Sequence, residues 1–206
     1  MKIHIAIPNA LCYYRGKEQT KKKGALKVLI AKITDSDFFG GEPQYIEDNA
    51  RYNVRGVVIN PNGDIAMMKI ENSEYYKLLV GSVDITETPE LAFLRQASEE
   101  TGQQVEKIGY IGWIEEHKNK RKFCMVSHCY AVRTISDTVD TNQLAFSEER
   151  LGYKLEWISY EDAMTKLKEL SKNCKEYQMN FILKREYLIL ESARSLIENA
   201  QEEKVQ

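Results

Sequence analysis

The helix written between Thr88 and Gly102 constrains this chain more than any other stretch, because its two ends and its buried side are all legible. Thr88 is a suitable N-cap, and Pro89 fits the first helical position, where no N–H is needed. Glu90 stands in the first turn, where the helix dipole favours acid. Leu91, Leu94 and Ala97, with Phe93 beside them, form an apolar stripe. Gly102 supplies the stop. The far end is electrostatically adverse: Glu99 and Glu100 occupy the last turn, each at a cost of roughly 0.3–1 kcal/mol. Arg95, four residues before Glu99, offsets only about 0.2–0.5 kcal/mol of that. At about 3.6 residues per turn, Gln96, Glu99 and Glu100 share one face. Carboxylates gathered where the backbone disfavours them suit Mg²⁺ or Mn²⁺. The alternative is a solvated helix end with one ion pair.

The pattern continues upstream. Gly81, Glu87, Arg95, Ala97, Glu99, Glu100 and Gly102 fall without a gap on G-x5-E-x7-R-E-U-x-E-E-x-G-U, with U apolar. On those residues the stretch from Gly81 to Gln103 resembles the box of the Nudix hydrolases. Gln96 stands where that family has its first helical glutamate, and Gln103 replaces the final apolar residue. Leu78-Leu79-Val80-Gly81-Ser82 takes the place of the family's usual Leu-Pro-Gly-Gly-Gly. The likeness extends more weakly over residues 25–195. Arg55 to Ile65 looks like the hairpin before the box, and Glu148 to Ala163 like the closing strand and helix.

Around the box the chain alternates strands and helices. Residues 27–33 read as an edge strand, and Asp35 to Tyr52, with Gly40, Gly41 and Pro43, as loop. Asn53–Asn60 and Ile65–Ile70 flank an Asn62-Gly63 turn and predict a hairpin. Leu78–Val80 is a short strand feeding the box. Strands follow at 105–113, 123–133 and 153–158, with a charged turn at 115–122 and a polar loop at 134–150. Amphipathic helices follow at 160–170 and from Met179 to about Glu198. This is an α+β order with a mixed sheet between helices, in agreement with the α/β/α sandwich that the resemblance implies. We expect a domain at residues 25–200 behind an N-terminal extension of residues 1–24.

A formal net charge of −2 gives no global basic field to attract nucleic acid. No apolar run approaches a membrane span of about 18 residues, and the N-terminus lacks a convincing signal-peptide cleavage site. Cys12, Cys124, Cys129 and Cys174 form no C-x-x-C pair and suit reduced thiols in the cytoplasm. Cys124, His128 and Cys129 invite a zinc reading. In an alternating strand, however, Cys129 faces away from the other two.

The resemblance implies hydrolysis, by water and with a divalent metal, of a nucleoside diphosphate linked to another moiety. Its expected metal ligands are Glu99, Glu100 and the Val80 carbonyl. Arg95 would hold Glu87 of the leading loop by a charge-assisted hydrogen bond, or else pair with Glu99. Gly81 serves a backbone conformation that side chains resist. Gln96 is neutral and cannot act as a general base near neutral pH, a loss worth roughly 10²–10⁴-fold. Glu115, Glu116, Glu148 and Glu149 are candidates for a compensating acid. Tyr75, Tyr76, Trp113 and Tyr130 are candidates to stack a base. The partner expected is a nucleotide-derived small molecule. The N-terminal extension and terminal helix leave surfaces for a second copy.

Overall fold

In the computed structural model, which describes residues 28–47, 50–70, 73–135 and 152–202, the hairpin forms around its Asn-Gly turn. Strands β1 (Leu29–Thr34), β2 (Ala50–Ile59) and β3 (Ile65–Ile70) come first, with one helical turn, α1 (Ser36–Phe39), after β1. Asn60 Oδ1 accepts from the N–H groups of Asn62 and Asp64 at 2.9 and 2.8 Å, and Gly63 takes φ +87°. That left-handed position closes the turn between Ile59 and Ile65.

Two short strands follow, β4 (Tyr76–Lys77) and β5 (Leu79–Gly81), and then the box helix α2 (Pro89–Thr101). Strands β6 (Val105–Lys118), β7 (Phe123–Thr134) and β8 (Tyr153–Ile158) complete the sheet, and helices α3 (Tyr160–Asn173) and α4 (Tyr177–Glu202) end the chain. The strand order is β1-β6-β7-β2-β3-β4, with β5 on β2 and β8 on β3. β1 runs parallel to β6 and β2 parallel to β7, while β6 and β7 are antiparallel. The sheet is therefore mixed, with helices on both faces: an α/β/α sandwich.

Alternation along the strands divides the core between the faces. Val57, Met67, Ile114, Phe181, Ile189 and Leu190 pack together on the α3–α4 side. Val54, Val58, Met68, Phe93, Ala97 and Tyr130 pack on the α2 side. No helix among the described residues is long and apolar enough to cross a membrane.

Several expectations need correction. Residues 115–118 are strand, not turn; only Asn119–Arg121 turns, as a single 3-10 turn. The strand carries its charges because each meets a partner: Glu115 meets Lys32, while Glu116 and Lys118 pair with each other. The loop expected at 35–52 contains α1 and the start of β2, which pairs in parallel with β7 from Ala50 onward. Leu91 is 55% exposed, because α2 seats Ala92, Phe93 and Ala97 on the sheet instead. The terminal helices also run a few residues past their expected ends, to Asn173 and Glu202. Of the polar loop expected at 134–150, Thr134 ends β7 and residues 136–150 lie outside the described residues, as does the extension at 1–24.

Candidate functional site

Both ends of α2 form as the sequence dictates. Thr88 Oγ1 accepts from the Leu91 N–H at 3.3 Å, and Gly102 ends the helix at φ +66°. These ends fix which face of the helix meets β5. Strand β5 passes beneath that face at Gly81. A Cβ built on Gly81 would lie 2.9 Å from Cβ and Cγ of Gln96 and 3.1 Å from its Oε1. Gly81 is thus required by the close approach of strand to helix, not by a left-handed backbone.

Arg95 joins the leading loop to the helix. Its Nη2 donates to Glu87 Oε1 at 2.7 Å and its Nε to Glu87 Oε2 at 3.2 Å, a bidentate clamp. Nη2 also donates to the Ser82 carbonyl at 3.3 Å, and Nη1 to Glu99 Oε2 at 3.2 Å. The two roles offered for Arg95 therefore hold together. Glu87 Oε1 in turn accepts from the Asp84 N–H at 2.9 Å, closing the loop on itself. The hydrogen bond from Arg95 holds the Glu87 carboxyl below the usual carboxylate range despite partial burial.

Glu99 and Glu100 leave the helix differently. Glu99 turns toward Arg95 with its side chain 42% exposed. Glu100 is 5% exposed, and Gln96 Nε2 donates to its Oε1 at 2.7 Å. The residue that departs from the box is thus bonded to its innermost acid, one helical turn away.

A model of the NUDIX domain matches residues 49–178. The chain belongs to the NUDIX family. Among solved structures it is similar to a NUDIX hydrolase from Nitrosomonas europaea, at 14% identity over 57% of this chain and 78% of that one, with a TM-score of 0.46. It is also similar to a UDP-X diphosphatase, at 11% identity over 61% of this chain and 56% of that one, with a TM-score of 0.40. No curated protein matches the chain.

Divalent metals are general in the NUDIX family, so the donors here can be weighed against one. Among the described residues no three His, Cys, Asp or Glu side chains converge as a metal-binding group. The box offers Glu100, Glu99 at the helix surface and the Gln96 amide oxygen beside Gly81. Mg²⁺ commonly uses one or two carboxylates together with waters and substrate phosphate oxygens. The donor set fits a cation of that kind.

The other candidates divide by face. Glu116 lies on the face of the sheet away from the box. It is fully buried on the α4 side of the sheet, where Arg185 Nη1 donates to its Oε2 at 2.7 Å and Lys118 Nζ lies 2.9 Å from its Oε1. Burial alone would raise its pKa; Arg185, Lys118 and Arg55 hold it at about 2. Glu115 faces the α2 side but is held by Lys32 Nζ at 3.0 Å, Trp113 Nε1 at 3.2 Å and His117 Nε2 at 3.2 Å. Glu148 and Glu149 lie outside the described residues. Tyr76 is buried beneath α3 and α4, and Tyr75 packs against the same core. Tyr130 is core, with its ring 6.2 Å from Phe93 and 5.1 Å from Tyr110. Trp113 alone of the four is half-buried on the box side. Sequence reasoning missed the five-charge cluster of Arg55, Glu116, Lys118, Arg185 and Glu186. Its one local signal was Arg185-Glu186 inside an apolar helical stripe.

Proposed function

We propose that this chain is a divalent-metal-dependent hydrolase that cleaves the pyrophosphate bond of a nucleoside diphosphate linked to another moiety. The observation that carries the reading is the assembled box: Arg95 clamps Glu87 and Glu99, while Gln96, bonded to Glu100, packs against Gly81 at the end of β5. Glu100, with Glu99, the Gln96 oxygen and the Val80 carbonyl, would hold Mg²⁺ or Mn²⁺. Bound there, the cation supplies neutralisation of charge on the pyrophosphate oxygens. Arg95 keeps the loop at residues 82–87 docked against the helix. The reading takes residues 25–200 as the catalytic domain, in the cytoplasm.

One observation favours a second reading, a NUDIX module that binds a nucleotide and turns it over slowly or not at all. The Gln96 amide occupies Glu100 and offers no proton acceptor near neutral pH. A turnover assay separates the two. The protein meets nucleoside triphosphates, sugar nucleotides, dinucleotides and ADP-ribose with Mg²⁺ or Mn²⁺, with Glu100→Gln as the blank. Product above the blank supports the hydrolase. Ligand-induced thermal stabilisation without product, with cleavage gained in Gln96→Glu, supports the binding module and rejects the first reading.

A further inference from the structure

One rung of the sheet leads straight out from the box. Gly81 pairs with Val54, Val54 with His128, and His128 with Trp113. Paired residues share a face, and Val54 lies in the core under α2, so His128 and Trp113 are on the box side of the sheet. With about 4.8 Å between strands, His128 stands roughly 10 Å and Trp113 roughly 14 Å from Gly81 along the rung. That span is comparable to the reach from the base to the second phosphate of a nucleoside diphosphate.

Covers lie on either side of this rung. Toward Tyr130 the sheet is covered by α2, whose Phe93 sits directly over Gly56: a Cβ there would lie 2.8 Å from the Phe93 ring. Two rungs the other way, the segment at residues 45–46 closes down. The Ile46 N–H donates to His117 Nδ1 at 3.0 Å, and the Tyr45 ring stands edge-on to the His117 ring. Between those covers, Trp113 and His128 are half-buried. Both rings are held from the side: Trp113 Nε1 donates to Glu115 Oε1 at 3.2 Å, and His128 Nδ1 is 3.1 Å from the Tyr110 hydroxyl. Two neighbouring rings with fixed orientation and partial exposure form a pre-organised stacking surface, which loses little side-chain entropy when a planar group settles on it.

We propose that Trp113 and His128 form a stacking platform for the planar heterocyclic base of a nucleotide whose phosphates lie at Gln96 and Glu100. The proposal rests on the hydrolase or nucleotide-binding reading above and adds where the base is held. Glu115 acts on it as a positioning residue through the Trp113 indole. Stacking on ring faces tolerates any base, so the platform selects for the presence of a base and not for its identity.

The test separates base from phosphate. Trp157→Phe leaves Trp113 as the sole tryptophan. That protein, with Mg²⁺, is titrated with the four 5′-ribonucleoside monophosphates, with ribose 5-phosphate and with inorganic pyrophosphate, by fluorescence and calorimetry. The expected result is saturable quenching of Trp113 emission by the nucleotides, and calorimetric binding of pyrophosphate without quenching. Trp113→Ala should weaken nucleotide binding roughly 5- to 150-fold while leaving the pyrophosphate Kd within about twofold. Trp113→Phe should restore most of the affinity, and His128→Ala should act in the same direction as Trp113→Ala in a protein that melts cooperatively. If nucleotides bind no tighter than ribose 5-phosphate, or Trp113→Ala leaves their ratio unchanged, the platform is wrong and the NUDIX reading stands. If nothing carrying phosphate binds, the functional reading fails and the platform fails with it.

Discussion

The buried cluster on the α4 side yields an ordered set of stabilities. Three cations (Arg55, Lys118 and Arg185) meet two carboxylates (Glu116 and Glu186), a net charge of +1 in a site where no member is more than 7% exposed. Glu116 is bound to two cations, at 2.7 Å to Arg185 and 2.9 Å to Lys118. Glu116→Gln would therefore leave three buried cations against Glu186 alone. Removing one partner of a buried pair typically costs about 3–5 kcal/mol, and the rise to +2 places Glu116→Gln at the upper end. Arg185→Met removes two short bonds, 2.7 Å to Glu116 and 2.6 Å to Glu186, but leaves two cations and two anions. Its cost should be intermediate. Arg55 is held least: its nearest acid oxygen is 3.6 Å away, and burial together with Arg185 lowers its pKa to about 10. Arg55→Met removes the excess charge and should cost less than about 1 kcal/mol, or stabilise. Urea unfolding measures all three. With an m-value of about 2 kcal/mol/M, Glu116→Gln should lower the midpoint by roughly 2 M. If Arg55→Met costs as much as Glu116→Gln, or Glu116→Gln moves the midpoint by less than about 0.5 M, charge balance does not organise the cluster.

Acid should act through the same carboxylate. A folded pKa of about 2 for Glu116, against an ordinary 4.5, means its contribution is complete above pH 4.5 and is lost as pH falls toward 2. Glu87, also lowered, acts in the same direction. Stability of the wild type should fall across that window, and more steeply than that of Glu116→Gln. Gly81→Ala forces a Cβ to within 2.9 Å of Gln96 and should cost about 1–3 kcal/mol. The double variant with Gln96→Ala should recover much of that loss, and strict additivity in a thermal-melt cycle would show that the two do not touch. Arg95→Lys keeps the charge but cannot fork onto Glu87. Hydrogen exchange at the Asp84 N–H, which bonds to Glu87 at 2.9 Å, should then speed up, and unchanged protection would show that the clamp does not hold the loop.

What the sequence made legible was local. The Thr88 cap, the Gly102 stop, the Asn-Gly hairpin and the box spacing each depend on residues within a few positions, and all are present in the structure. What it hid depends on partners far along the chain. Glu115 to Lys118 looks like a solvated turn until Arg185, 69 residues beyond Glu116, is brought beneath it. Leu91 fits a stripe of the right period, yet the helix rests on Ala92 and Phe93, and a stripe's period does not fix its rotation about the axis. The joining of Trp113 to His128 needs the register of β6 on β7, which the bulges at Ile108 and Ile111 shift and no local pattern reveals.

Gln96 gains a physical meaning from that placement. A glutamate there would set a second carboxylate beside the buried Glu100, and without a cation the two would repel. The amide does what a cation would otherwise do, donating at 2.7 Å to Glu100 Oε1. This chain therefore engages Oε1 of its innermost acid before any metal arrives, and a cation must compete with Gln96 Nε2 for that oxygen. Rotating the amide turns its own oxygen toward the site and changes Gln96 from competitor to ligand. The two readings of the protein differ in whether that exchange occurs. Thermal melts across a Mg²⁺ series distinguish them. Gln96→Glu should melt below wild type without Mg²⁺ and rise more steeply as it is added. If wild type rises as steeply as the variant, the amide yields to the metal and the hydrolase reading gains. If only the variant responds, the amide keeps Glu100 in the free protein and the binding-module reading gains.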